Sequence, residues 1–532
     1  MTTLELVLSP DDADRLPRLK LVARLKAGRL RRHAVATVWH DTADGALARQ
    51  GLALAESRGT WRVERLVPGA AFWPPGAPAP IEEQAATLDL INQPLPTGLL
   101  RVARFEGVLT VVPLVRDGAS MTLELMHGTV GWARKRRPAC RMTIVGQAVG
   151  KNAVGAAGTG QGVVGKPGAS EGAASHSTPN ERAAGEVGPG DEAAVFALAT
   201  ELAEELDLAV PIASLAAEAR AIASATTPAP RHRGAPQLPA GLTVADAFAF
   251  VLGHLADVIL HNAPLAAAGR DGPDPVHEMR VAVRRLRSAI TLFRSAAGCP
   301  AIDAASLGLK ALADRLAPAR DWDVFVAETA AAVAKVLPDD TSLRRLRTAA
   351  ERRRRHAYAA LRAWLASPDF RCLGIALAGL AGSRAWMTAL EPKQMETLAL
   401  GLDEFASRAL ARRLHRLAAA GKAIEHLDPE ALHAIRLRAK RMRYVAEVFA
   451  PLYPGKPTRR FMRRLATLQD RLGRLNDGSV ANGLLGELGA SAGTRAHAAG
   501  LVRGFLAARS ADTRGRIARA WERFHRLEPF WS

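Results

Sequence analysis

Cysteine is nearly missing from this chain of 532 residues: Cys140, Cys299 and Cys372 are the only three, and none has the spacing of a metal knuckle. The pattern argues against a cysteine metal centre, and free thiols suit a reducing compartment. Leu373 to Gly382 is too short and too rich in Gly and Ala to span a bilayer. The start, Met-Thr-Thr-Leu-Glu-Leu, lacks the basic and then apolar pattern of a signal peptide. The expectation is a cytoplasmic protein with no membrane partner. Acids are in the minority, with Asp+Glu 52 against Lys+Arg 72 and a formal net charge of +20. Such an excess attracts polyanions over long range.

What is present is a duplication. His277-Glu-Met-Arg280-Val-Ala-Val-Arg284-Arg285-Leu-Arg287 is echoed by His433-Ala-Ile-Arg436-Leu-Arg-Ala-Lys440-Arg441-Met-Arg443. The register then holds without a gap, so Phe293 falls on Phe449, Asp314 on Asp470 and Asp321 on Asp477. At about 100° per residue the charges of the first copy share one half of a helix. Met279, Val283, Leu286, Ile290 and Phe293 fall on the other half, the stripe that leans on a core. The second copy repeats this with Ile435, Ala439, Met442 and Phe449. Two such helical units are expected to pack on each other, and two cationic ridges facing one space form an anion site.

A charge run on a helix is ordinarily a solvated face. Here the same residue types recur at matching places and Glu278 is the only acid inside the first ridge. A solvated helix mixes signs to gain (i, i+4) pairs, so a polyanionic ligand is the better reading. Asp274-Pro275 reads as an N-cap followed by a first-turn proline, which would set His277 beside free amides; Asp428-Pro429 does the same for the second copy. Among arginines an imidazole should be neutral in the empty site and protonated once an anion arrives.

These residues closely resemble the CHAD family of helical domains, from about Leu242 to the C-terminus. Leu316-Ala-Pro-Ala-Arg320-Asp321-Trp-Asp323-Val, Leu472-Gly473-Arg-Leu475-Asn476-Asp477 and Trp521-Glu-Arg-Phe524 add to the likeness. The resemblance implies an all-α bundle of two pseudo-symmetric halves, about 241–390 and 391–532. It also implies binding of inorganic polyphosphate, often at polyphosphate granules, with components of such granules as further partners. The binding residues would be His277, Arg280, Arg284, Arg285, Arg287, His433, Arg436, Lys440, Arg441 and Arg443. Nucleic acid is the rival partner and ranks lower, because neither ridge holds an aromatic before Tyr444 on which bases could stack. Arg345, Arg352, Arg459 and Arg463 are secondary anion candidates on basic helices that are otherwise read as solvated. Asp321, Asp323 and Asp477 follow the loop-like Pro318 or Asn476 and read as caps or braces for arginines rather than metal ligands.

The region before the bundle has another texture. Short runs at 4–8, 34–39, 51–54, 61–66, 108–112 and 121–126 read as antiparallel strands. Residues 147–190 are rich in Gly, Ala and Ser, as in flexible linkers. A helical pattern from Asp191 to about Leu215 and a Pro-rich stretch at 227–239 complete an extension over 191–240, after which Thr243 and Asp246 offer capping chemistry. The strand region, 1–146, resembles the CYTH family of triphosphate-processing tunnel folds, in a degenerate form. Glu-x-Glu-x-Lys of that family is reduced to Thr3-Leu-Glu5-Leu-Val7, Leu-Arg-x-Arg becomes Leu52-Ala53-Leu54-Ala55, and Met126 and Arg141 stand where acids are expected. Phosphoanhydride hydrolysis needs carboxylates for metal and cations for phosphate. Only Glu5 and Glu124 remain as plausible ligands, with Arg62, Arg65, Arg101 and Arg104 as weak anion contacts. The expected fold class is α+β multidomain, without catalytic residues, metal or cofactor; a triphosphatase is the enzymatic alternative.

Overall fold

The computed structural model describes residues 2–66, 98–146, 189–269, 272–383, 385–489, 493–510 and 513–531. Seven strands form one antiparallel sheet: β1 Thr3–Val7, β2 Arg31–Asp41, β3 Leu52–Ser57, β4 Thr60–Arg65, β5 Leu100–Arg116, β6 Ala119–Trp132 and β7 Lys135–Gly146. The strand order is β1-β7-β6-β5-β2-β3-β4, curled into a half-barrel. Period-two alternation sorts its two faces. Leu4, Leu6, Met121, Leu123, Cys140, Met142 and Ile144 bury against the core shared with the helices. Trp39, Phe105, Val130 and Ala139 form a second, smaller core on the opposite face. Gly107 and Gly128 pair across β5 and β6, where a Cβ would lie 2.3 Å and 2.1 Å from a backbone oxygen of the facing strand. Only glycine permits that approach.

The strands expected from the sequence coincide with β1 to β6, though β5 and β6 run well beyond the apolar stretches that revealed them. Most of the Gly-rich stretch lies outside the described residues. The helix that follows is shorter than its pattern implied: α1 spans Pro189–Glu205, the chain then turns, and α2 spans Leu215–Ser224. Pro211 disfavours helix in the residue before it, and Ser214 caps α2 by accepting from Ala217 N at 3.3 Å. The Pro-rich stretch is pinned to the next helix. Arg231 and Arg233 both pair with Asp257, and Asn262 exchanges hydrogen bonds of 3.1 Å with the Arg231 backbone.

Ten further helices carry the site: α3 Val244–Ala268, α4 Asp274–Ala297, α5 Pro300–Val324, α6 Thr341–Leu365, α7 Pro368–Gly382, α8 Leu402–Ala420, α9 Pro429–Phe449, α10 Lys456–Glu487, α11 Gly493–Ser510 and α12 Thr513–His525. Thr243 caps α3 by accepting from Asp246 N at 3.1 Å. This helix is apolar and long enough to cross a membrane, but 89% of its most apolar window is buried inside the protein. The duplication is visible in the core. Phe293 of α4 meets its counterpart Phe449 of α9 edge-on, with centroids 6.3 Å apart. Phe248 packs on Phe293 at 5.0 Å, and Phe405 on Phe449 at 6.3 Å.

Candidate polyanion-binding site

With the apolar stripes of α4 and α9 buried around that aromatic cluster, their opposite faces border a common space. A cleft of about 260 Å³ is lined by His277, Arg280 and Arg284 of α4, Arg320 and Asp321 of α5, and Arg436 and Lys440 of α9. Phe325 and Thr329 also line it, from the π-helical turn Phe325–Ala330 that continues α5, and Val480, Ala481 and Leu484 of α10 close one wall. π-Turns of this kind re-aim side chains and concentrate at functional sites.

The cations are held differently. Arg280 reaches across to α5, donating from Nη1 to Asp321 Oδ1 at 3.0 Å and to Ala317 O at 3.2 Å. Arg284 has no such anchor. Its Nε is buried with no hydrogen-bond partner, and among the described residues no carboxylate pairs with it. Burial lowers its pKa; Tyr444 opposes that shift, and Arg280, Arg285 and Arg443 reinforce it. A half-buried guanidinium without a counter-charge is costly, and an anion in the cleft would compensate it.

His277 is half-buried, and its imidazole is pushed below its ordinary value of 6.5, first by burial and then by Arg320. The empty site therefore favours the neutral ring at pH 7. A bound polyanion favours imidazolium, so binding takes up a proton and tightens as pH falls from about 7 toward the lowered pKa. Affinity measured across that range should rise on acidification, and His277→Gln should flatten the rise; an equal rise in the variant would remove the ring from the site.

Residues 250–486 match the CHAD domain family. This helical segment is a CHAD domain. The CHAD domain of the plant Ricinus communis is 30% identical, covering 56% of this chain and 98% of that one, with a TM-score of 0.49. PptA from Streptomyces chartreusis is 18% identical, covering 53% of this chain and 99% of its own, with a TM-score of 0.42. An uncharacterized protein of Mycobacterium tuberculosis (strain ATCC 25618 / H37Rv) is 34% identical over 189 residues, and the match spans only 35% of its length.

Within the CHAD domain the cleft gathers five of the ten ridge residues and adds Arg320, which lies in the segment Leu316–Val324 and not on either ridge. Packed helices share only a limited stretch, and the remaining ridge residues lie outside the cleft. Arg285 donates from Nε to Glu447 Oε2 at 3.1 Å, and Arg443 donates from Nε to Glu447 Oε1 at 2.7 Å and from Nη1 to Gln469 at 3.1 Å. The single acid Glu447 thus clamps α4 to α9. His433 and Arg441 are exposed and Arg287 is half-buried. Arg345, Arg352, Arg459 and Arg463 are exposed and do not line the cleft.

Two local readings change. Asp428 does cap α9, accepting from Ala431 N at 2.7 Å, but α4 starts one residue early, with Pro273 at its N-cap position, and the His277 amide is already bonded to Pro273 O at 2.9 Å. Pro318 lies inside α5 rather than in a loop. The brace reading holds for Asp321 on Arg280 and for Asp323, which accepts from Arg354 at 2.6 Å and Tyr358 at 2.7 Å. The Asp477 side chain lies outside what the structure describes.

The half-barrel is consistent with a CYTH-like domain, yet its inner face does not fit a divalent metal and a triphosphate. Helix α2 packs over that face. Arg141, 4% exposed, is taken by Glu5 at 3.3 Å and by Glu218 of α2 at 2.5 Å; Arg220 of α2 pairs with buried Asp41. Arg62 pairs with Glu64 and Arg104 with Glu106. Burial pushes the carboxyls of Glu5 and Glu124 up, which weakens them as ligands, since a metal requires them deprotonated. No group of three or more His, Cys, Asp or Glu among the described residues could hold a metal ion. Incubation with tripolyphosphate and millimolar magnesium or manganese should release no phosphate above background; release abolished by Glu5→Ala would overturn this.

Proposed function

We propose that the CHAD domain binds inorganic polyphosphate by electrostatic capture in the cleft between α4 and α9, with no covalent step. The observation that carries this reading is Arg284, a half-buried cation whose buried Nε has no partner and which sits between cations contributed by three helices. Arg280, Arg284, Arg320 and Arg436 offer fork-shaped donors to phosphate oxygens, Lys440 offers a point charge, and His277 adds charge on protonation. The family is one related to polyphosphate binding, and the cleft supplies cations of the kind that binding requires. Association with polyphosphate granules and their components in the cytoplasm belongs to this proposal.

Nucleic acid fits less well. Among the described residues Phe325 is the only aromatic lining the cleft, and it is 1% exposed, so it offers no face for base stacking. Competition at fixed salt tests the choice: labelled long-chain polyphosphate on the full-length protein, challenged with single-stranded DNA or RNA at matched charge. Polyphosphate alone should displace the label efficiently. Equal displacement by nucleic acid would reduce the cleft to a general polyanion surface.

A further inference from the structure

The face of the half-barrel opposite α2 carries a cleft of about 590 Å³, far from the helical ridges and outside the closed inner face. The short helix Pro10–Arg15 and the 3₁₀ turn Leu16–Arg18 form one wall, and the sheet forms the floor. Strand register explains that floor. Arg32, Thr110 and Leu125 stand in one row across β2, β5 and β6, and Val108 lies opposite His127 in the next. Period-two alternation puts these residues on the same face as Val112, Leu114, Met121 and Leu123, all buried in the main core. The apolar face continues past the point where the core covers it, and Val108 is left 41% exposed. Ser9 caps the wall helix by accepting from Asp12 N at 3.1 Å, and fully buried Leu16 ties the wall to the core.

Charge sits at the rim of this cleft. Arg18 and Arg32 are exposed there, and among the described residues neither makes an ion pair. Asp14, the one acid among the described lining residues, lies 3.5 Å from His127 Nδ1, so its charge is turned to the ring. The structure assigns the cleft to a small amphipathic anion, a free alkyl or aryl carboxylate. Its apolar body would lie on Val108 and Leu125 between Pro17 and Pro138, and its carboxylate would accept from the two guanidinium groups. The volume falls within the range of about 300–1,000 Å³ typical of small-molecule sites, which combine apolar walls with a few placed polar groups. A bare phosphate chain would leave the apolar floor unused, and a neutral apolar molecule would leave the arginines unused. No residue lines both this cleft and the one between α4 and α9. Occupation of one therefore requires nothing of the other.

Calorimetric titration of the full-length protein with decanoate, below its micelle concentration and at fixed salt, tests this. One decanoate per chain is expected, with no binding of acetate, which has the charge without the chain. Decyltrimethylammonium, the same chain with the opposite charge, should bind at least about tenfold more weakly, the scale of a lost charged hydrogen bond. Arg18→Gln with Arg32→Gln should weaken decanoate by about the same factor, and both side chains are exposed, so the melting temperature should stay at the parent's value. Val108→Asp, which sets an acid on the floor, should abolish binding; the arginine pair decides alone should that variant misfold. Arg284→Ala should leave decanoate affinity unchanged. Equal affinity in the parent and the Arg18 and Arg32 double variant would overturn the site, as would acetate binding as well as decanoate. Loss of decanoate in Arg284→Ala, or its displacement by tripolyphosphate, would place the probe in the cleft between α4 and α9 and overturn it too.

Discussion

Arg284→Ala is expected to weaken polyphosphate binding by about tenfold to a hundredfold, the range that one or two charged hydrogen bonds supply. The same variant should leave the empty protein as stable as the parent or more stable, by about 1 kcal/mol. The sign follows from its surroundings. Arg284 Nε is buried without a partner, and Arg280, Arg285 and Arg443 add like charge around it. Truncating a cation that already lacks its counter-ion breaks no pair and relieves repulsion. Functional residues commonly trade stability in this way. Parallel titrations and thermal melts decide the matter: a clear loss of stability in Arg284→Ala would mean the side chain is a structural support.

Glu447→Ala should act in the opposite sense, lowering unfolding stability by about 2 kcal/mol, between the scale of a surface pair and that of a fully buried one, because removing the acid strands the half-buried Arg285 and Arg443. Glu447 side-chain exposure is 10%, and its two oxygens are divided between Arg285 of α4 and Arg443 of α9. Loss of the acid leaves two guanidinium groups facing each other across the contact between the halves. Urea unfolding should show an earlier midpoint with an unchanged slope. Glu447→Gln, which keeps an acceptor, should fall between the two. A midpoint shift worth less than about 0.5 kcal/mol, the scale of a surface pair, would show the clamp to be solvated.

The contrast between these two arginines marks the limit of what the sequence reveals. Period and duplication were enough to show that α4 and α9 each bury one face and expose a cationic one, and that Phe293 and Phe449 are counterparts. They did not separate Arg284 from Arg285, adjacent residues of one ridge. That distinction depends on Glu447, which has no counterpart in the first copy, where Thr291 takes its place. Arg320 was equally hidden as a cleft residue, since it enters from α5 by tertiary packing. The half-barrel's strands were readable from alternation, whereas the closure of its inner face by α2 was not. That closure rests on long-range pairs, Glu218 with Arg141 and Arg220 with Asp41, and no local pattern records them.

The most direct test of the central claim is binding of long-chain polyphosphate, at one fixed salt concentration, to the full-length protein carrying alanine at Arg280, Arg284, Arg436 and Lys440. Two ridges that hold one ligand predict a loss of at least about a hundredfold with the fold intact, since several charged donors are removed at once. Affinity within about twofold of the parent would contradict the account and place the ligand elsewhere on the basic surface.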